Sequence, residues 1–202
     1  MGCLMKRALV VLIASLVVSV LPGCGDGSQT SPLLTSGPTA PSQASASPVP
    51  RQIGPITFGG LTGEGTAVTT YTESDVTVLV TAGGWTVGAN YGNPRPFLRF
   101  QAQGGTTVTG EIRVTAGGAA FSFKSVDLYS STTPIPYAIT GRRNSATVFV
   151  ATGTLPNTFG QFRTVPSPDA AAFIDTLTIA LTNAAAPCCT NPMGIDNIAL
   201  AK

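Results

Sequence analysis

Apolar and polar residues alternate along much of the chain beyond residue 53. Alternation is clearest in Phe121-Ser122-Phe123-Lys124-Ser125-Val126-Asp127-Leu128 and in Ile174-Asp175-Thr176-Leu177-Thr178-Ile179-Ala180-Leu181. A period of two sends successive side chains to opposite faces of a strand. Short runs of this kind predict strands at Ile56–Phe58, Ala67–Tyr71, Val76–Ala82, Trp85–Gly88, Phe97–Gln101 and Thr106–Thr115. Others are predicted at Ala119–Leu128, Tyr137–Arg142, Ala146–Thr152, Gly160–Val165, Thr176–Thr182 and Ile195–Leu200. Gly83-Gly84, Gly104-Gly105, Gly117-Gly118 and Asn144-Ser145 supply turn signals between them. The one helix candidate is Asp169–Phe173. So many short strands with so little helix predict an all-β chain folded as an antiparallel β-sandwich. Phe121, Phe123, Val148, Val150, Leu177 and Ile179 are expected in the shared core. Regular alternation puts Lys124 and Asp127 on opposite faces. It also puts Asp175 with Leu177 and Ile179, unless it stands at the exposed end of its strand.

The pattern before residue 53 differs. Lys6 and Arg7 precede an apolar run, Ala8 to Leu21, that falls short of the roughly 20 residues a membrane span needs. That order reads as a secretory signal over residues 1–23. Residues 24–52 are rich in Ser, Thr, Pro, Ala and Gln with little to bury, which predicts a disordered tether. A flexible chain of that length spans about 30 Å. The folded domain is then 53–202.

Composition narrows the chemistry. The chain has no His, which removes Ser-His-Asp and Cys-His catalysis and His-ligated metals. Without Lys6 and Arg7 the 11 Lys and Arg fall to nine, equal to the 9 Asp and Glu. A balanced domain lacks the basic face that nucleic acid or anionic lipid requires. Carboxylates are available for hydrolysis, but no spacing marks a catalytic pair. Cys188 and Cys189 are adjacent. In an oxidising envelope they form a vicinal disulfide or pair between molecules, and two adjacent sulfurs make a poor metal set.

Two resemblances add to this reading. Leu21-Pro22-Gly23-Cys24 closes the apolar run and resembles the lipobox of bacterial lipoproteins. It implies lipidation of Cys24 after cleavage, with two or three acyl chains that hold far better than one. Gly25, and not Asp, follows the Cys, which by the resemblance favours the outer membrane of a Gram-negative envelope. The segments Gly118–Ser130, Tyr137–Val150, Phe173–Thr182 and Met193–Leu200, with the stretch 60–78, are similar to jelly-roll domains of secreted and surface-anchored bacterial proteins. Those resemble carbohydrate-binding modules and galactose-binding-like domains.

The resemblance implies candidate sites. Such jelly rolls often hold a structural Ca²⁺, and it points to Glu64, between Gly63 and Gly65, and Asp196 in Gly194-Ile195-Asp196-Asn197-Ile198. The alternative is that Glu64 is a solvated loop acid and Asp196 caps a turn. Glycan binding needs flat aromatics for sugar faces and polar groups for hydroxyls. Trp85, Tyr91, Tyr129 and Tyr137 are stacking candidates; Asn90, Asn93, Arg95, Arg142 and Arg143 are hydrogen-bonding candidates, densest in Trp85–Arg95. A lone Trp in a sandwich also reads as core. The expected function is a lipid-anchored, non-catalytic binding module for glycan. The alternatives are a structural or adhesive surface protein that contacts other proteins, and a polysaccharide-acting enzyme.

Overall fold

The computed structural model describes residues 53–102, 107–183 and 191–202. The predicted signal and tether with Cys24, the Gly104-Gly105 turn and the Cys188-Cys189 pair lie outside the described residues. Twelve strands form among the described residues: β1 Thr70–Glu73, β2 Val76–Ala82, β3 Trp85–Gly88, β4 Phe97–Ala102, β5 Val108–Thr115 and β6 Phe121–Ser130 come first. They are followed by β7 Ile135–Arg143, β8 Ala146–Leu155, β9 Arg163–Pro166, β10 Phe173–Ile174, β11 Thr176–Asn183 and β12 Asn191–Ala201. No described helix is long and apolar enough to cross a membrane.

The strands make two antiparallel sheets. One runs β1-β2-β5-β11-β7-β8; the other runs β10-β6-β12-β4-β3, with β9 also paired to β6. The chain changes sheet repeatedly, at β2 to β3, β4 to β5, β5 to β6, β6 to β7, β8 to β9, β10 to β11 and β11 to β12. This alternation gives the predicted jelly-roll-like sandwich its form. Gly83 makes the first crossing at φ 78°, where a Cβ would come within 2.9 Å of the Gly110 Cα.

The inward faces meet in one apolar core. Val76, Val78, Ile112, Val114, Ile139, Leu177 and Ile179 face Trp85, Leu98, Phe100, Phe121, Phe123, Leu128 and Ile195. Phe123 stacks on Phe149 of the opposite sheet with ring centroids 6.1 Å apart.

Four expectations need correction. Val148 and Val150 are 42 % and 55 % exposed, and Phe149 between them is 8 % exposed. β8 is an edge strand, and its inward parity is set by Phe149 and Leu155. The predicted helix is a turn: Asp169 Oδ1 accepts from Ala171 N at 3.2 Å and Ala172 N at 3.1 Å, and Phe173 then pairs with Ser122. β6 changes parity midway, since Phe121 and Phe123 face inward and so do Val126 and Leu128. Its partner β12 is irregular at the same level, with Asn197 at φ 44°. Lys124 and Asp127 therefore both face away from the core. The predicted strand at Ile56–Phe58 is reduced to one bridge, Ile56 to Ile198. Asp175 sits half-buried in the bend between β10 and β11, at the end of its strand and not on the core face.

Candidate functional site

A second aromatic cluster lies on the outer face of the β10–β3 sheet, away from the core. Register alignment explains it. Thr86, Arg99, Gly194 and Tyr129 are successive partners across β3, β4, β12 and β6. Gly194 has no side chain, so Tyr129 lies across it: an added Cβ would collide with the Tyr129 ring. Phe97, Tyr129 and Phe162 then meet edge to face, with centroids 5.0–5.4 Å apart. Tyr91 comes from the β3–β4 loop and closes on Tyr129 at 6.5 Å. Edge-to-face pairs of this kind are favoured by the ring quadrupole.

A pocket of about 360 Å³ opens here, lined by Tyr91, Arg99, Tyr129, Ser131, Thr132 and Pro192. Its walls are held by hydrogen bonds. Asn191 is buried; its Oδ1 accepts from Thr132 N and Thr132 Oγ1, both at 2.8 Å, and its Nδ2 donates to Thr133 Oγ1 at 3.0 Å. The loop after β8 is tied in through Thr158 N to Ser130 O at 2.9 Å and Asn157 Nδ2 to Thr132 O at 3.1 Å. Asn93 N donates to Gly160 O at 3.1 Å and holds the Tyr91 loop beside it. Next to Gly160, Phe159 is 73 % exposed and held at φ 50°, a conformation uncommon for a bulky residue.

Arg99 enters the pocket against Glu64. Glu64 Oε1 pairs with the Arg99 guanidinium, and Oε2 accepts from Ala89 N at 2.5 Å and Asn90 N at 3.0 Å. Partial burial pushes the Glu64 pKa up. The two backbone donors and Arg99 outweigh it, so the net shift is downward. The Tyr129 hydroxyl is an exception in this well-bonded region, as is Asn183 Nδ2 behind Asn191. The hydroxyl is fully buried and has no hydrogen-bond partner. Burial raises its pKa, only partly countered by Arg99, so it stays a neutral donor. A buried hydroxyl without a partner costs about 1–3 kcal/mol, and a group left in that state calls for an explanation.

The predicted residues fall in different places. Tyr91 and Tyr129 meet in the pocket. Trp85 does not; it is a core residue by parity with Val87, its Nε1 donates to Ala82 O at 3.0 Å, and its ring lies 5.3 Å from Phe100. Asn90, Asn93 and Arg95 line neither cavity described here. Arg95 Nη1 braces its own loop at Ala89 O and Asn90 O, 3.5 and 3.4 Å away. Tyr137 is half-buried against the core beside Gly153. Arg142 lies on the other sheet, in a groove of about 580 Å³. Arg99, Ser131, Thr132 and Asn191 were not legible as site residues. Their sequence signal is slight: an Arg inside an otherwise apolar strand, and a hydroxyl-rich turn followed far along the chain by Asn-Pro.

The residues present do not fit the calcium pair that the resemblance implies. Both Glu64 oxygens already accept from N–H donors, one of them cationic. Asp196 is buried between other neighbours. Burial raises its pKa to about 7 against the Asn197 N–H bond, with the Asp127 and Glu73 charges adding to the rise. Among the described residues no group of three or more His, Cys, Asp or Glu is placed to hold a metal. Neither Asp196 nor Asp127 lines a cavity described here. The pocket lining carries no carboxylate, and the groove carries one, Asp175, whose two oxygens accept from Asn144 N at 2.6 Å and Thr176 Oγ1 at 2.9 Å. The arrangement can bind, but it offers no acid–base pair for glycoside hydrolysis.

No family model matches the chain, and no curated protein matches it. Solved structures of similar outline exist. A mutant of a GH29 fucosidase from Ruminococcus gnavus in complex with fucose superposes with TM-score 0.42 at 13 % identity over 65 % of this chain. The chain spans about a quarter, 26 %, of that enzyme's length. The module TmCBM61 in complex with β-1,4-galactotriose gives TM-score 0.43 at 9 % identity, covering 63 % of this chain and 88 % of the other. A CBM4 structure gives 0.34 at 19 % identity, covering 55 % and 90 %. Likenesses at this level assign no ligand; the sandwich assignment rests on the strand topology.

Proposed function

We propose that this chain is a non-catalytic carbohydrate-binding module held on a bacterial cell envelope by lipid at Cys24. The observation that carries the binding reading is the Tyr91 pocket. There an aromatic ring, 48 % exposed, stands beside a buried hydroxyl with no partner and a guanidinium. A ring offers a plate for the C–H face of a sugar, and the convergent donors fit its hydroxyls. A few placed polar groups in an otherwise pre-formed cavity are the ordinary makeup of a small-ligand site, at roughly 300–1,000 Å³. The polar walls are fixed before any ligand arrives, which lowers the ordering cost of binding.

Titration calorimetry against a panel of neutral oligosaccharides tests this. Binding weakened by Tyr91→Ala supports the pocket. No binding by any glycan would return the reading to the alternative, a protein-contacting surface domain. The anchor has its own test. A fatty-acid analogue fed to cells should label the full chain and not Cys24→Ala; equal labelling of both would remove the lipoprotein reading.

A further inference from the structure

The groove on the β1–β8 sheet is a separate site from the Tyr91 pocket, because it opens on the outer face of the other layer. Its lining crosses four strands. Thr77, Thr115, Thr176 and Arg142 are successive partners across β2, β5, β11 and β7, and Leu79 with Arg113 begins the next row. Strands lie about 4.8 Å apart, so the three threonines make a row about 10 Å long. Arg142 stands at the end of that row.

The charges in the groove are uneven. Asp175 is committed. Its hydrogen bond from Asn144 N, with those from its other neighbours, outweighs slight burial and holds the carboxyl below its ordinary value. It fixes the Asn144-Ser145 wall and offers little to a ligand. The two guanidinium groups are available. Arg142 Nη1 reaches Ser145 O at 3.4 Å, a long bond, and Arg113 is exposed with no hydrogen bond or ion pair among the described residues. Two guanidinium groups with no ion pair among the described residues, beside one satisfied anion, leave the groove positive, in a chain whose acidic and basic side chains nearly balance. A guanidinium presents a planar fork that matches a carboxylate or sulfate with two parallel hydrogen bonds. No aromatic ring lines the groove, so it lacks the stacking plate of the first pocket.

We propose that this groove binds an acidic oligosaccharide, with its carboxylate or sulfate groups on Arg113 and Arg142 and its hydroxyls on Thr77, Thr115 and Thr176. The proposal rests on the glycan reading of the protein and names a ligand class and a second place for it. Calorimetry of the full chain with oligogalacturonate, with the same chain after carboxyl reduction, and with a sulfated oligogalactan tests it. The acidic ligand should bind at least about tenfold tighter than the reduced one, as hydrogen bonds to charged groups allow. That preference should vanish in the R113Q R142Q double variant, and added salt should weaken the acidic ligand selectively. The R113K R142K pair keeps charge without the fork and should retain part of the preference, which controls for folding. Oligogalacturonate binding alone assigns carboxylate as the group recognised, and binding of the sulfated chain alone assigns sulfate. Equal affinity for acidic and reduced chains, or a preference that survives the double variant, overturns the proposal. If the reduced chain binds through Tyr91 and no acidic preference exists, the groove alone is refuted. If no glycan binds, both readings fall.

Discussion

Tyr129 holds a hydroxyl buried without a partner on the outer face of the β10–β3 sheet, and this predicts an unusual split. Tyr129→Phe removes a desolvated donor and keeps the ring, so the free protein should melt at an unchanged or higher temperature. The same change should weaken glycan binding. Loss of stability with affinity intact would show that the hydroxyl serves the fold. Asp196 predicts a pH dependence. Burial, with Asp127 and Glu73 nearby, raises its pKa from 3.8 to about 7, so the folded state holds the proton more tightly than the unfolded chain. Its stabilising contribution is complete below about pH 4 and is lost as pH rises toward 7. In EDTA, the urea midpoint should fall between about pH 4 and pH 7, and Asp196→Asn should flatten that fall. An equal fall in the variant would mean that other groups cause it.

Single strands yield their own tests. On β8 the burial of alternate residues is opposite to the expectation that Val148 and Val150 are core. Phe149→Ala should cost about 3–5 kcal/mol, the usual penalty for emptying a buried aromatic site. Val150→Thr should stay within about 0.5 kcal/mol, since the side chain is exposed. Urea unfolding of both variants decides it, and the reverse ranking would restore the sequence expectation. The β7–β8 hairpin turns at Asn144-Ser145, with φ 49° and 67°, the left-handed pair that a two-residue hairpin requires. Ser145→Gly should stabilise by about 0.5–1 kcal/mol, the left-handed cost of about 1–2 kcal/mol less the entropy cost of glycine. A loss of stability would show that the Ser145 side chain bears weight in the turn. This turn was readable because its residue types are local signals. The parity change within β6 was not, because it depends on the irregular pairing with β12 around Asn197, some 70 residues later in the chain by its bond to Asp127.

At the scale of the molecule, the two candidate sites lie on opposite outer faces with the core between them. Stacked sheets are about 10 Å apart, and substitutions separated by more than that with no shared partner add within about 0.5 kcal/mol. Tyr91→Ala combined with Arg142→Gln should therefore be additive in stability. A coupling well above that figure would mean that the sheets transmit strain and the sites are linked. Additive behaviour would leave a module able to take two kinds of ligand independently.

The sequence by itself determined the layers. Period-two runs of Val, Ile, Leu and Phe can bury one face only by stacking against another such face, and the turn signals between them limit each run to a short strand. The all-β sandwich follows from local chemistry, as do most strand positions. The site did not follow. Tyr91, Arg99, Tyr129, Thr132 and Asn191 are distributed over about 100 residues, and only the pairing of β4, β12 and β6 brings them together. Pairing of β3 with β4 buries Trp85, Arg99 on β4 engages Glu64, and pairing of β7 with β11 puts Arg142 on the other face. Local pattern sets which residues can form a strand. Register and sheet order, fixed by cooperative packing of distant segments, decide which side chains share a pocket.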